Sequence, residues 1–63
     1  MKRFQCDLQD KNGIRPEYGK VYEVETKEQA FEKYLVNLER NEHFFTRRIE
    51  NFKKNGNIVI EEI

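Results

Sequence analysis

The chain has 63 residues, and its 12 Lys and Arg are balanced by 12 Asp and Glu, so the formal net charge is zero. That balance argues against a strongly basic nucleic-acid binder and equally against a polyacidic mimic of DNA. A single cysteine excludes an internal disulfide, and Cys6 with His43 falls short of the four ligands that zinc normally takes, so no metal and no cofactor is expected.

Residues 2–9, KRFQCDLQ, alternate in polarity. Phe4, Cys6 and Leu8 share one face and Arg3, Gln5, Asp7 and Gln9 the other, the pattern of a half-buried strand. Asn12-Gly13 is a turn signal, and the only proline follows at position 16. Residues 10–19 therefore read as a loop, with Ile14 and Tyr18 against the core. KVYEVE, residues 20–25, reads as a second strand, antiparallel to the first, with Tyr22 and Val24 toward a helix.

Thr26 and Gln29 form a capping-box pattern that starts this helix. Phe31, Leu35, Leu38, Phe45, Ile49 and Phe52 then recur at spacings of three, four and seven, a heptad seam interrupted by Glu42. A straight helix over 27–54 would run about 42 Å. Strands of this length span only about 20–23 Å. Either the helix breaks near Asn41-Glu42-His43, or its overhang pairs with a second chain; the break is favoured. A strand over FTRRIENF, closed into a terminal hairpin at Asn55-Gly56, is the competing reading, and the 45, 49, 52 spacing favours a helix. Lys53 and Lys54 suit a helix C-terminus, and Gly56 suits the left-handed position just beyond it. NIVIEEI, residues 57–63, reads as a third strand, with Ile58, Ile60 and Glu62 on one face and Val59, Glu61 and Ile63 on the other.

These elements predict one α+β domain over residues 1–63, in the order β-β-α(α)-β. A small, mostly antiparallel three-stranded sheet carries one long or broken helix on one face. Val21 and Val59 fall on the opposite face, a half-covered strip and a second candidate interface. A core this small supplies about 3–5 kcal/mol of stability. With no apolar run behind the N-terminal Lys2-Arg3, no apolar stretch approaching membrane length and a lone cysteine, the expectation is a cytoplasmic chain with no membrane partner.

No catalytic signature is present, and the chain is expected not to be an enzyme. His43 is the only histidine, with Glu39 one helical turn before it, and it reads as a surface residue on a charged face. Cys6 lies on the apolar face of a strand, where a thiol behaves as a small hydrophobe. The pairs Glu23/Glu25 and Glu28/Glu32 read as solvated acids, and the glycines are isolated at turns, with no phosphate-binding loop.

The segment FFTRRIENFKKNG mixes aromatic and basic residues. On one helix, Phe45, Ile49 and Phe52 fall within about 60° of one another, as a core or dimer seam. Arg40, His43, Arg47, Asn51 and Lys54 fall opposite. Arg48 borders Phe44 and Phe52, positioned to stack on a ring. Residues 40–54 carry five basic and two acidic side chains, a net +3; residues 21–39 carry two basic and five acidic, a net −3. The basic stripe Arg40, His43, Arg47, Arg48 and Lys54 is the candidate partner-binding face.

The expected function is that of a small interaction protein that binds and modulates a host protein, in the manner of a phage or mobile-element accessory factor. The composition, rich in Lys, Glu, Asn, Ile and Phe, fits an AT-rich coding sequence of that origin. The alternative is a dimeric nucleic-acid-binding module that places the basic helix face on phosphates. Self-association is compatible with either.

Overall fold

The computed structural model describes residues 1–63. In chain order the elements are β1 (Lys2–Asp10), β2 (Gly13–Val24), α1 (Lys27–Arg40), α2 (Thr46–Asn55) and β3 (Ile58–Glu62). The strands form one antiparallel sheet in the order β2-β1-β3. The fold is thus α+β, with the helix broken in two and no hairpin at the C-terminal end. β1 takes the centre because its alternation is the cleanest. Phe4, Cys6 and Leu8 are all buried, and they meet Ala30, Tyr34, Leu38, Phe44 and Ile49 from the helical side.

The first difference from expectation is the loop over 10–19, which is mostly strand. Asp10 pairs with Gly13, so Lys11-Asn12 closes a tight hairpin, and Gly13 takes a φ of 110° that favours glycine. The Asn12 N–H donates to Asp10 Oδ1 at 2.8 Å. Leu8 then pairs with Arg15 but Cys6 with Lys20, so Pro16 to Gly19 face Asp7 alone in a wide bulge. Pro16 signals a strand breaker, yet it lies in a bulge of an edge strand, where proline is tolerated. Arg15 spans Asp10 and Glu17 at 2.7 Å each; it holds the Asp10 carboxyl below its ordinary range, and a hydrogen bond from the backbone of Glu17 together with Arg15 holds the Glu17 carboxyl below its own. The bulge delivers Tyr18 to the core side. Its carbonyl accepts a 2.7 Å hydrogen bond from the Tyr34 hydroxyl, and its ring meets Phe44 edge-on at 5.3 Å.

The capping box at α1 is formed on both sides: Gln29 N–H donates to Thr26 Oγ1 at 3.2 Å, and Thr26 N–H donates to Gln29 Oε1 at 3.2 Å. The buried stripe of α1 is Ala30, Tyr34 and Leu38, spaced by four. Phe31 and Leu35, the expected seam residues, flank it and are only partly buried. Leu38 is buried as expected, and the first two positions of the stripe are shifted by one residue because Ala30 is small enough for the helix to close onto β1. Cys6 Sγ lies 3.9 Å from the Ala30 carbonyl. Tyr34 then follows one turn later, and its polar end reaches an acceptor in the bulge.

The chain leaves α1 at Asn41 and reverses through His43, which adopts φ 57°, the left-handed region usually left to Gly and Asn. Phe44 N–H then donates to the Leu38 carbonyl at 3.1 Å, which turns the Phe44 ring inward. Phe45 is the N-cap of α2, with extended dihedrals (φ −68°, ψ 150°). α2 buries Ile49 and partly buries Phe52, and ends at Gly56 in the left-handed conformation (φ 68°), whose N–H returns to the Phe52 carbonyl.

The expected seam of Phe45, Ile49 and Phe52 therefore needs correction at its first member. A helix that continued back through Phe45 would align it with Ile49 and Phe52. The extended N-cap breaks that phase, so Phe44 enters the core and Phe45 stands 83% exposed.

β3 returns beside β1. Gln9 N–H donates to the Asn57 carbonyl at 2.7 Å, and Asn57 Nδ2 donates to the Gln9 carbonyl at 2.8 Å, a two-way clamp at the strand entry. Ile58 and Ile60 line the covered face opposite Leu8 and Cys6. On the other face, Val21 and Ile63 are exposed and Val59 is partly buried, so the expected open strip is present.

Candidate functional site

The five basic-face candidates do not form one stripe. They divide between a corner and a helix. Arg40 is the last residue of α1, His43 sits in the reversal, and Arg47 is the second residue of α2. Lys54 lies near the far end of α2, about 10 Å along the axis from Arg47 at 1.5 Å per residue. Arg40, His43, Arg47 and Lys54 are exposed, and no carboxylate lies within 4 Å of any of them. Glu39 and His43 do not form the pair that a continuous helix would give, because α1 ends between them.

Arg48 differs from the others. Its guanidinium lies 4.5 Å from the centroid of Phe44 and 5.5 Å from that of Phe52, the stacking anticipated from their spacing. Phe44 and Phe52 are themselves 5.7 Å apart, tilted by 57°. Arg48 thus covers the aromatic pair with its guanidinium. It belongs to the structure of the corner more than to its free charge.

The residue that the sequence reading placed wrongly is the one that gives the corner its character. Phe45 is a large aromatic standing in solvent, two residues before Arg47 and two after His43. Aromatic and basic groups were expected on opposite faces of one helix. Around the start of α2, exposed Phe45 instead lies two residues along the chain from exposed His43 and from exposed Arg47. The break near Asn41-Glu42-His43 was the available signal: a helix that stops and restarts does not keep its phase, so the seam needed to be counted afresh from the restart.

Elsewhere the surface offers shallow features. The largest groove, about 610 Å³, lies along α1 between Tyr22, Val36, Asn37 and Arg40. Inside it, Asn41 Nδ2 donates to Asn37 Oδ1 at 2.6 Å, and Asn37 Nδ2 is buried without a partner. A second groove of about 430 Å³ lies between α1 and β3, lined by Lys27, Glu28, Phe31, Glu32 and Ile60. No three His, Cys, Asp or Glu side chains gather as a metal site would require. No helix is long and apolar enough to cross a membrane.

Cys6 is fully buried, and burial pushes its thiol up to about 11, with Asp7 adding a smaller push in the same direction. A thiol in this setting is poorly nucleophilic. Two outcomes follow. A thiol reagent at neutral pH is expected to modify Cys6 only as fast as the protein opens, so the labelling rate rises with denaturant along the unfolding curve. Stability is also expected to fall with alkali. Below pH 9 the thiol is protonated in both folded and unfolded chains, and the contribution is fully present. Between pH 9 and 11 the unfolded thiol ionises while the folded one does not, so the unfolded state gains and the urea midpoint drops. A midpoint that stays flat or rises over that window contradicts the assignment.

Comparison with known protein families, characterised proteins and solved structures found no match to this chain.

Proposed function

We infer that this is a small interaction protein whose contact surface is the α1–α2 corner, with Phe45 as its apolar anchor and Arg40 and Arg47 as its charged rim. The observation that carries this reading is the 83% exposure of Phe45, two residues along the chain from His43 and from Arg47, exposed basic residues with no carboxylate within 4 Å. Exposing a phenylalanine ring costs the chain about 1.5–3 kcal/mol relative to burying it. Aromatic residues and arginine are the types enriched among the residues that dominate protein interfaces. The fitting partner is a protein surface with an apolar pocket bordered by carboxylates. Modulation of a host protein by a phage or mobile-element factor belongs to the same proposal, and the low-GC composition supports it.

The second reading, a nucleic-acid module, gains from the same observation. A solvent-exposed ring next to arginine is what a base-stacking platform needs. The zero net charge weighs against it, as does the division of the basic residues between a corner and a helix.

The test is capture from a low-GC bacterial lysate with the tagged chain, its Phe45→Ala and Arg47→Glu variants, and nuclease treatment as a parallel arm. A protein retained by the parent chain with and without nuclease, and lost from both variants, supports the interaction reading. The purified pair is then expected to weaken on the order of 30-fold on Phe45→Ala, the scale of an interface anchor. Retention that vanishes with nuclease moves the assignment to nucleic acid. Retention indifferent to both substitutions overturns the corner as the contact surface.

A further inference from the structure

We propose that the free edge of β3 pairs with β3 of a second copy of this chain, joining two three-stranded sheets into one continuous sheet. Gln9 N–H bonds to the Asn57 carbonyl and Ile63 N–H to the Arg3 carbonyl, so Asn57 and Ile63 direct their backbone toward β1. Alternation along an antiparallel strand then turns Val59 and Glu61 the same way, and turns the N–H and C=O of Ile58, Ile60 and Glu62 to the open side. These groups recognise one chemistry, another extended strand.

The two edges of the sheet are not equivalent. β2 is interrupted by the Pro16–Gly19 bulge and places Lys20 beside it, devices that blunt an edge. β3 has no proline, bulge or lysine, and begins with the aliphatic run Ile58-Val59-Ile60.

A second copy fits this edge because the strand is complementary to itself. Antiparallel pairing about a two-fold axis at Ile60 sets Ile60 against Ile60 of the second copy, Ile58 against Glu62, and Val59 against Glu61. Every outward N–H and C=O then finds a partner, and no two carboxylates face each other directly. The paired Ile60 side chains lie on the helical side, where the open groove lined by Phe31 and Lys27 leaves room for them. The zero net charge adds no long-range repulsion between copies. Ile49 is buried and Phe52 packs against the core, so the seam that would have paired helices is occupied. Of the remaining open surfaces, the β3 edge is the one whose unpaired backbone groups are complementary to themselves.

A chain of this length is accessible by chemical synthesis, which permits a selective test. N-methylation of the Ile60 amide removes the outward N–H, keeps the side chain and leaves every β1–β3 hydrogen bond in place. Glu62→Pro blocks the same edge at an exposed residue and serves as the second variant, with circular dichroism to confirm the fold of each. Sedimentation equilibrium up to about 1 mM reads the mass, since association follows concentration. The parent chain is expected to rise from 7.7 kDa toward twice that value. Both blocked chains are expected to associate at least about 10-fold more weakly, because N-methylation alone removes two symmetry-related hydrogen bonds. A parent chain that stays at 7.7 kDa throughout overturns the proposal. So does a folded blocked chain that associates as strongly as the parent.

Discussion

Phe44→Ala is expected to cost about 3–5 kcal/mol, whereas Phe45→Ala, one residue on, is expected to change stability by no more than about 0.5 kcal/mol. Phe44 is buried, meets Tyr18 edge-on, lies against Phe52 and is covered by Arg48. Its removal opens a cavity that these neighbours fill only in part. The loss matches the roughly 3–5 kcal/mol that a chain of this size possesses, so the Phe44 variant is expected to be largely unfolded at room temperature. Phe45 lies in solvent as an N-cap with no side-chain capping bond, so truncating it removes neither packing nor a cap. Urea titrations followed by circular dichroism separate the two. Equal losses at both positions would mean that both rings are packed.

Tyr34→Ala is the second substitution with a large expected effect. Tyr34 is fully buried at the centre of α1, where its ring supports Leu38 on one side and Ala30 on the other. The expected loss is about 3–5 kcal/mol, again enough to unfold the chain. Tyr34→Phe divides that figure. It keeps the ring and removes only the 2.7 Å hydrogen bond to the Tyr18 carbonyl, at a cost of about 1–3 kcal/mol for the stranded acceptor. The two measurements together tell whether the bulge is held by packing or by this bond. If Tyr34→Phe proves neutral, another donor or water takes the place of the hydroxyl, and the bond does not hold the bulge.

The parts of the fold that were legible in the sequence are those whose cause is local. Alternation marked β1, reciprocal side-chain and backbone partners marked the start of α1 at Thr26 and Gln29, and Gly56 marked the end of α2. The break near His43 was legible as a mismatch of lengths. Arg48 was legible as a stacking residue because its neighbours at positions 44 and 52 are both phenylalanine.

What was not legible depended on partners distant in sequence. The second half of β2 was read as a strand, but its first half, residues 13–19, looks like a loop from its own residues, because Pro16 and the bulge disrupt its alternation. Only pairing with β1 makes it a strand. Leu38 was placed correctly, but the first two positions of the α1 core stripe were placed one residue away, because tyrosine and alanine rank below phenylalanine and leucine in apolar weight. Tyr34 belongs inside once the bulge supplies an acceptor for its hydroxyl. At the candidate site the basic residues were identified by type, and Phe45 was assigned to the wrong side. The seam had been carried through a helix break that resets the phase.

The division of labour between Phe44 and Phe45 is the central claim, since the core of the corner and the proposed contact surface both rest on it. A two-dimensional nuclear Overhauser spectrum of the aromatic and aliphatic side chains tests it most directly. The predicted result is cross-peaks from the Phe44 ring to Tyr18 and Phe52, whose ring centroids lie at 5.3 and 5.7 Å, and none from Phe45 to Ile49 or Phe52. Cross-peaks linking Phe45 to both Ile49 and Phe52 would contradict it, restoring a continuous seam and removing the exposed anchor.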